Sequence, residues 1–140
     1  MNEFESLQVT MQVTQLCSSN EYRKAFQLSR RLGPEAMAKA GKDSDEYSAI
    51  RLLIGTWDRI AFIGKGFSAK QRQQFFRNHP VSLVWQRLEP ATKAIRNDTD
   101  KRFAKEFEDL HNQYQKWISS KDGQEYRTYQ QQAIHALFFV

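Results

Sequence analysis

The sequence predicts an all-α protein, a single irregular or orthogonal bundle of six to eight helices. The chain has 140 residues, about the length of one domain, and 40% of them are hydrophobic, which is enough to build a core. It contains only 6 Gly and 3 Pro, too few for the many tight turns of a β-sandwich or barrel. Apolar residues recur at intervals of three and four, as they do on helices. We therefore expect residues 1–140 to form one helical domain.

The first predicted helix rests on its apolar residues, and the second is predicted from the residues at its two ends. Residues 4–18 suit a helix that is buried on more than one side, although alternate apolar residues in its middle also fit a strand. Ser18 and Glu21 have the spacing of a capping box, which predicts the start of a second helix. Pro34 stops that helix and opens a short helical turn over 35–40.

The most regular apolar pattern follows a cap at Asp43 or Ser44. Its apolar residues recur at three and four: Tyr47, Ile50, Leu53, Ile54, Trp57, Ile60 and Ala61. We expect this helix to lie at the centre of the bundle. It runs into the sequence Gly64-Lys65-Gly66, whose glycines can adopt positive φ, and we interpret that sequence as a turn.

Two further helices are predicted between residues 68 and 96. Ser68 and Gln71 form a capping box for the first of them. Pro80 opens the second. Pro90 lies inside that second pattern and cannot donate a backbone hydrogen bond, so it predicts a kink or split near Leu88.

The remaining sequence predicts two more helices. A polar turn at 97–100 precedes an apolar stripe with helical spacing: Phe103, Phe107, Leu110, Tyr114, Trp117 and Ile118. Residues 119–123 interrupt it. Asp122 with Glu125 then predicts the cap of a last helix.

Three groups of residues resemble motifs of a family of bacterial and phage helical domains known as domain of unknown function 4760. The groups are Trp57-Asp58 with Ile60-Ala61 and Gly66; the run 84–90 with Ile95-Arg96; and Phe107-Glu108-Asp109-Leu110. The resemblance covers about residues 45–117. It implies an all-helical cytosolic domain, which in many relatives follows an N-terminal membrane anchor, and it implies no known activity or catalytic residues. This chain differs in having Asp58 where a glutamate is usual and in lacking such an anchor.

Net charge is the first indication of function. The chain carries 21 basic and 16 acidic residues, a net charge of +5, and the stretch from Lys65 to Lys105 holds ten basic residues against three acidic ones. We define the candidate basic surface as Lys65, Lys70, Arg72, Arg77, Lys93, Arg96, Lys101, Arg102 and Lys105. These side chains could bind nucleic-acid phosphates, an acidic protein or anionic lipid head groups, or could simply be solvated. No helix-turn-helix or zinc-finger motif favours nucleic acid.

One carboxylate is expected to be buried. Asp58 adjoins Trp57 on the central apolar helix, where an unpaired charge would be costly. Arg87 or Arg96 is the expected partner, and such a pair would fix how two helices pack. The alternative is that these charges line a pocket.

The sequence offers few residues for catalysis or metal binding. Glu108 and His111 form a Glu-x-x-His pair, but a di-iron bundle needs two such pairs and the second is missing. Cys17 is the sole cysteine and falls on a core stripe, so neither a disulfide nor a reactive thiol is expected. We predict no catalytic residues, no metal and no cofactor. The single cysteine and the lack of a signal peptide or membrane span favour the cytoplasm.

The chain ends on four apolar residues, Leu137, Phe138, Phe139 and Val140. They could bind another chain or fold over their own bundle. The leading hypothesis is a non-catalytic helical module that binds a protein partner or itself, in the bacterial or phage conflict setting that the resemblance suggests. The alternatives are a nonspecific nucleic-acid-binding protein that uses the candidate basic surface, and a small-molecule enzyme or ligand-binding bundle.

Overall fold

The computed structural model of the chain describes residues 3–126, apart from the side chain of Ser6. Seven helices follow one another: α1 Glu3–Ser18, α2 Asn20–Arg30, α3 Pro34–Ala38, α4 Asp45–Gly64, α5 Ala69–Asn78, α6 Val81–Asp98 and α7 Lys105–Ile118. Residues 121–126 are also helical. The described part of the chain contains no strand, and the predicted all-α bundle is confirmed.

Helix α4 lies at the centre, as predicted, because it packs against α1, α2, α3, α6 and α7. Its apolar side contributes Ile54 and Ile60, which are completely buried. The ring of Trp57 stacks on that of Phe107 from α7 at 5.8 Å between centroids, and Trp85 from α6 meets Phe107 edge to face at 5.1 Å. These aromatic pairs join α4, α6 and α7 in the core.

Two of the predicted helix starts are confirmed, and one is corrected. The Ser44 hydroxyl accepts the Tyr47 N–H at 3.1 Å, and Ser68 and Gln71 form both hydrogen bonds of their capping box. The cap of α2 is Ser19 rather than Ser18, since Ser19 accepts the N–H of Tyr22 at 3.1 Å. Ser18 is the last residue of α1 and is therefore helical, whereas an N-cap needs the extended backbone that Ser19 has.

Helix α6 runs without a break from Val81 to Asp98, so the split expected at Pro90 does not occur. The reason is burial on both sides of the proline. Leu88 before it and Ala91 and Thr92 after it are almost inaccessible to solvent. Packing of this kind can offset the roughly 3 kcal/mol that a proline costs a helix interior.

The connection from α6 to α7 differs from the expected polar turn at 97–100. Helix α6 continues through Asp98, and α7 begins only at Lys105, so Phe103 lies in the connection rather than on the helix. Ala104, just before α7, has φ 60°, a left-handed conformation that is unfavourable for alanine. Within residues 3–126 it is the one non-glycine residue of positive φ, and no glycine there has positive φ.

After α7, the chain turns over only two residues, and the next helical segment begins at 121. Its cap is Ser120, whose hydroxyl accepts the Gly123 N–H at 3.2 Å, so the expected cap at Asp122 is wrong. Gly123 packs so closely on the end of α7 that a Cβ atom there would collide with the Trp117 carbonyl. None of the helices in the described residues is long and apolar enough to cross a membrane.

Candidate functional site

Asp58 projects from α4 to the start of α7. Its Oδ1 accepts the backbone N–H of Phe107 at 3.0 Å. Helix α7 is preceded by Ala104, whose side chain has no oxygen to cap it. Asp58 therefore serves as a capping residue supplied by another helix, and its negative charge lies at the positive end of the α7 dipole. The expected pairing of Asp58 with Arg87 or Arg96 is corrected, because both arginines bind elsewhere.

Arg87 binds at the C-terminal end of α2. Its Nη2 donates to the carbonyl oxygens of Ser29 at 2.7 Å and Leu32 at 2.5 Å. The Ser29 carbonyl lies in the last turn of α2 and that of Leu32 just beyond it, at the end of the helix where a positive charge is favourable. Burial, together with nearby Arg30, lowers the pKa of Arg87 from its usual value.

Arg96 holds the connection that precedes α7. Its Nε donates to the Phe103 carbonyl at 2.7 Å, and its Nη1 lies 3.4 Å from a carboxylate oxygen of Glu108. Its guanidinium lies 6.0 Å from the centroid of the Trp85 ring. Only 15% of the Arg96 side chain is exposed, so this residue is a structural contact rather than part of a binding surface.

Removing the Asp58 carboxylate should destabilise the start of α7. We expect Asp58→Ala to lower the free energy of unfolding by about 1 kcal/mol, the usual cost of losing a helix cap. Urea denaturation followed by circular dichroism measures this change. Asp58→Asn is the matched control, since an amide oxygen can still accept the Phe107 N–H, and it should lose less. Equal stability of wild type and the alanine variant would contradict a capping role.

Most of the candidate basic surface is neutralised by ion pairs. Five of its nine residues lie within 4.0 Å of a carboxylate oxygen: Lys65 with Glu106, Lys93 with Glu89, Arg96 with Glu108, Arg102 with Asp100, and Lys105 with Asp109. Three of these carboxylates, Glu106, Glu108 and Asp109, lie just beyond residue 105. They were therefore not included when the charges of residues 65–105 were summed. Apart from the largely buried Arg96 pair, these pairs are exposed, so they contribute little stability but do cancel local charge.

The other four residues of the candidate basic surface have no carboxylate of residues 3–126 within 4.0 Å: Lys70, Arg72, Arg77 and Lys101. The first three lie on α5, and Lys101 lies in the connection between α6 and α7. Nucleic-acid binding through the candidate basic surface stays a prediction, and α5 is the part of that surface on which a test should concentrate.

The Glu108 and His111 pair is built into the packing of α6 and α7. His111 Nδ1 lies 2.9 Å from the Ser82 hydroxyl, and its ring stacks on Trp85 at 5.7 Å between centroids. Burial lowers the pKa of His111, and the negative charges of Glu89 and Glu108 partly oppose this. Ser82 is only 4% exposed, so the serine and histidine do not form an accessible nucleophile. Within residues 3–126, no three potential metal ligands come together.

Cys17 is half-buried at the end of α1. Burial raises the pKa of its thiol to about 11. The thiolate is the reactive form, and at neutral pH this thiol stays protonated. Burial therefore keeps the Cys17 thiol in its less reactive, protonated form.

Helix α1 carries an exposed apolar stripe that was not predicted. Residues 4–18 were expected to be buried on more than one side, but Phe4, Leu7 and Met11 are 67%, 59% and 53% exposed. At 3.6 residues per turn they share one side of the helix, and the core is met by the opposite side, which contains Val13. We call Phe4, Leu7 and Met11 the α1 stripe. The residues of the α1 stripe are three and four residues apart, which predicts an apolar face distinct from the one that contains Val13. A helix with two apolar faces needs a second packing partner besides the core.

The other predicted apolar surface, Leu137 to Val140, lies outside the described residues. No protein-family model, curated protein or solved structure matches this chain significantly. The resemblance to domain of unknown function 4760 therefore stays a prediction. In the structure, its motif residues Trp57, Trp85 and Phe107 are core side chains, and Asp58 and Arg96 make the structural contacts above.

Proposed function

We propose that this chain is a non-catalytic helical interaction module that pairs with a second copy of itself through the α1 stripe. The observation that carries the proposal is the exposure of three large apolar side chains on one face of a helix whose other face is already used by the core. Exposed apolar surface costs free energy in water, and pairing removes it from solvent.

The distribution of charge favours a second copy as the partner. Residues 1–22 contain three acidic residues and no Lys or Arg, so all 21 basic residues follow, and with 13 acids they give the remainder a charge of +8. Two copies that meet through α1 keep these basic parts away from each other. A contact through the remaining surface, which carries the whole positive excess, would be opposed more strongly by repulsion between like charges.

The sequence of α1 also suits a symmetric helix pair. The residues beside the α1 stripe are Gln8, Thr14 and Gln15, which are exposed and uncharged and so do not repel a second α1. Glu3 and Glu5 lie at one end of the helix, and an antiparallel pair places the two acidic ends apart. Paired helices of this length, about 24 Å, bury less than a standard interface, so the dimer should be weak and concentration-dependent.

Analytical ultracentrifugation tests the proposal. Over about 10–500 μM, the average mass of the wild-type chain should rise from 16.5 kDa towards twice that value. Leu7→Glu and Met11→Glu place a charge in the α1 stripe and should hold the chain as a monomer. Gln12→Glu adds the same charge to the same helix away from the α1 stripe, and this control should still dimerise.

Two results would count against the proposal. A wild-type chain that is monomeric throughout this concentration range removes the second copy as the partner. A dimer that forms equally well in Leu7→Glu, Met11→Glu and Gln12→Glu places the contact on another surface. Circular dichroism of each variant shows whether its helices are intact, so that loss of pairing can be separated from loss of fold.

A further inference from the structure

A cavity of about 670 Å³ lies between α1, α5 and the helical segment 121–126. Its volume falls within the range of pockets that bind small organic molecules, about 300–1,000 Å³. Helix α1 lines it with Val9 and Val13 and their threonine neighbours, none of which belongs to the α1 stripe. The cavity is therefore a feature separate from the proposed dimer contact.

The apolar wall of the cavity is built from three rings in contact. Phe67 lies 5.6 Å from Phe75 between centroids, and Phe75 stacks on His79 at 4.3 Å. His79 Nδ1 lies 3.0 Å from the Phe75 carbonyl oxygen, to which a neutral imidazole can donate. Burial lowers the pKa of His79, so at neutral pH the ring is uncharged and adds apolar surface to this wall.

Arg77 is the one permanent cation among the lining residues that the structure describes. Its guanidinium lies 4.8 Å from the centroid of the Tyr126 ring, which holds it against the cavity wall. The Arg77 Nε is buried, and no acceptor among residues 3–126 hydrogen-bonds to it. No carboxylate of those residues lies within 4.0 Å of Arg77, and Glu125, the acidic lining residue, is exposed to solvent.

A partly desolvated arginine with no anion beside it is energetically unfavourable, because its charge and its buried N–H group have lost water without gaining a partner. A carboxylate can complete it, because the guanidinium presents its N–H groups in a fork that matches two carboxylate oxygens. The rings of Phe67, Phe75 and His79 would contact the apolar body of the same ligand. We infer that this cavity binds a small organic carboxylate whose body is aromatic or branched and apolar.

A matched pair of probes tests the inference with the full chain: 2-naphthoate, which carries a carboxylate, and 2-naphthalenemethanol, which is neutral. Titrations are followed by ¹H–¹⁵N correlation spectra. We expect 2-naphthoate to shift the amide signals of cavity residues such as Val13, Gln74 and His79. We expect the neutral alcohol to bind about tenfold more weakly, the effect of losing one charge-assisted hydrogen bond.

Two arginine variants assign the preference to one residue. Arg77→Gln should abolish the preference for 2-naphthoate over the alcohol. Arg72→Gln is the matched control, since Arg72 lies on the same helix, is also half-buried and also has an Nε without an acceptor among residues 3–126, but does not line the cavity. This control should keep the preference. If Arg77→Gln does not fold, Arg77→Lys keeps the charge without the fork and should reduce the preference.

Three outcomes would overturn the inference. The first is a wild-type chain whose cavity amides do not shift with either probe at millimolar concentration. The second is equal affinity for the two probes. The third is a preference for 2-naphthoate that survives in Arg77→Gln. Leu7→Glu, which interrupts the α1 stripe, should leave probe binding unchanged, so failure of the dimer proposal and failure of this inference can be distinguished.

Discussion

Replacing Trp85 with alanine is expected to lower the free energy of unfolding by about 3–5 kcal/mol, the range for truncating a large aromatic residue in a core. Trp85 is 2% exposed and contacts the rings of Phe107 and His111. Glu89 lies on the next turn of α6, and its pKa is lowered mainly by Lys93 and in smaller part by the side chain of Trp85. A loss of this size is a large fraction of the 5–15 kcal/mol that stabilises a typical domain.

Chemical denaturation followed by circular dichroism measures the effect of Trp85→Ala. Trp85→Phe keeps most of the apolar volume and the edge-to-face contact with Phe107, and should lose much less stability. A change below about 1 kcal/mol in the alanine variant would mean that the core between α6 and α7 can collapse around the missing ring. Because Trp85 carries part of the family resemblance, a large effect would also show that this motif residue is needed for the fold.

Arg96→Ala is expected to cost about 2–3 kcal/mol, because it leaves the Phe103 carbonyl and the Glu108 carboxylate without the partner they have in the wild type. The same substitution removes the guanidinium from beside Trp85. The destabilisation should appear mainly at the connection before α7, where hydrogen exchange of nearby amides should become faster.

Lys93 is the matched control for Arg96. Both are basic residues of α6 in ion pairs, but 63% of the Lys93 side chain is exposed against 15% for Arg96. Lys93→Ala should therefore leave the denaturation curve unchanged within error. If Arg96→Ala loses no more stability than Lys93→Ala, the packing role assigned to Arg96 is wrong.

Local chemistry made the helices predictable. The capping box of Ser68 and Gln71 acts across three residues, and the periodicity of α4 repeats within each turn. At Pro90 a longer-range interaction overrode the local preference. Pro90 was expected to kink or split α6, but the helix is buried on both sides of the proline and runs through it without a split.

The functional residues were harder to predict, because charge along the sequence does not show which charges meet. Glu106, Glu108 and Asp109 neutralise part of the candidate basic surface from the next helix. The cavity beside Arg77 lies between α1, α5 and the segment 121–126, which are far apart in the chain. The spacing of apolar residues within one helix cannot predict a cavity between distant helices. The helical spacing of the α1 stripe can be recognised in the sequence. Only the exposure of its residues in the structure shows that this side of α1 does not face the core.

The sequence by itself determined that this protein is helical, where most helices begin, and that α4 lies at the centre, because hydrogen bonds and side-chain periodicity within a helix act over three or four residues. The tertiary structure alone decided what Asp58, Arg87 and Arg96 do. The hydrogen bond from Phe107 to Asp58 spans 49 residues, and those of Arg87 span 55 and 58. Such pairs form only after helices have packed, since packing is what brings a side chain to the end of a distant helix.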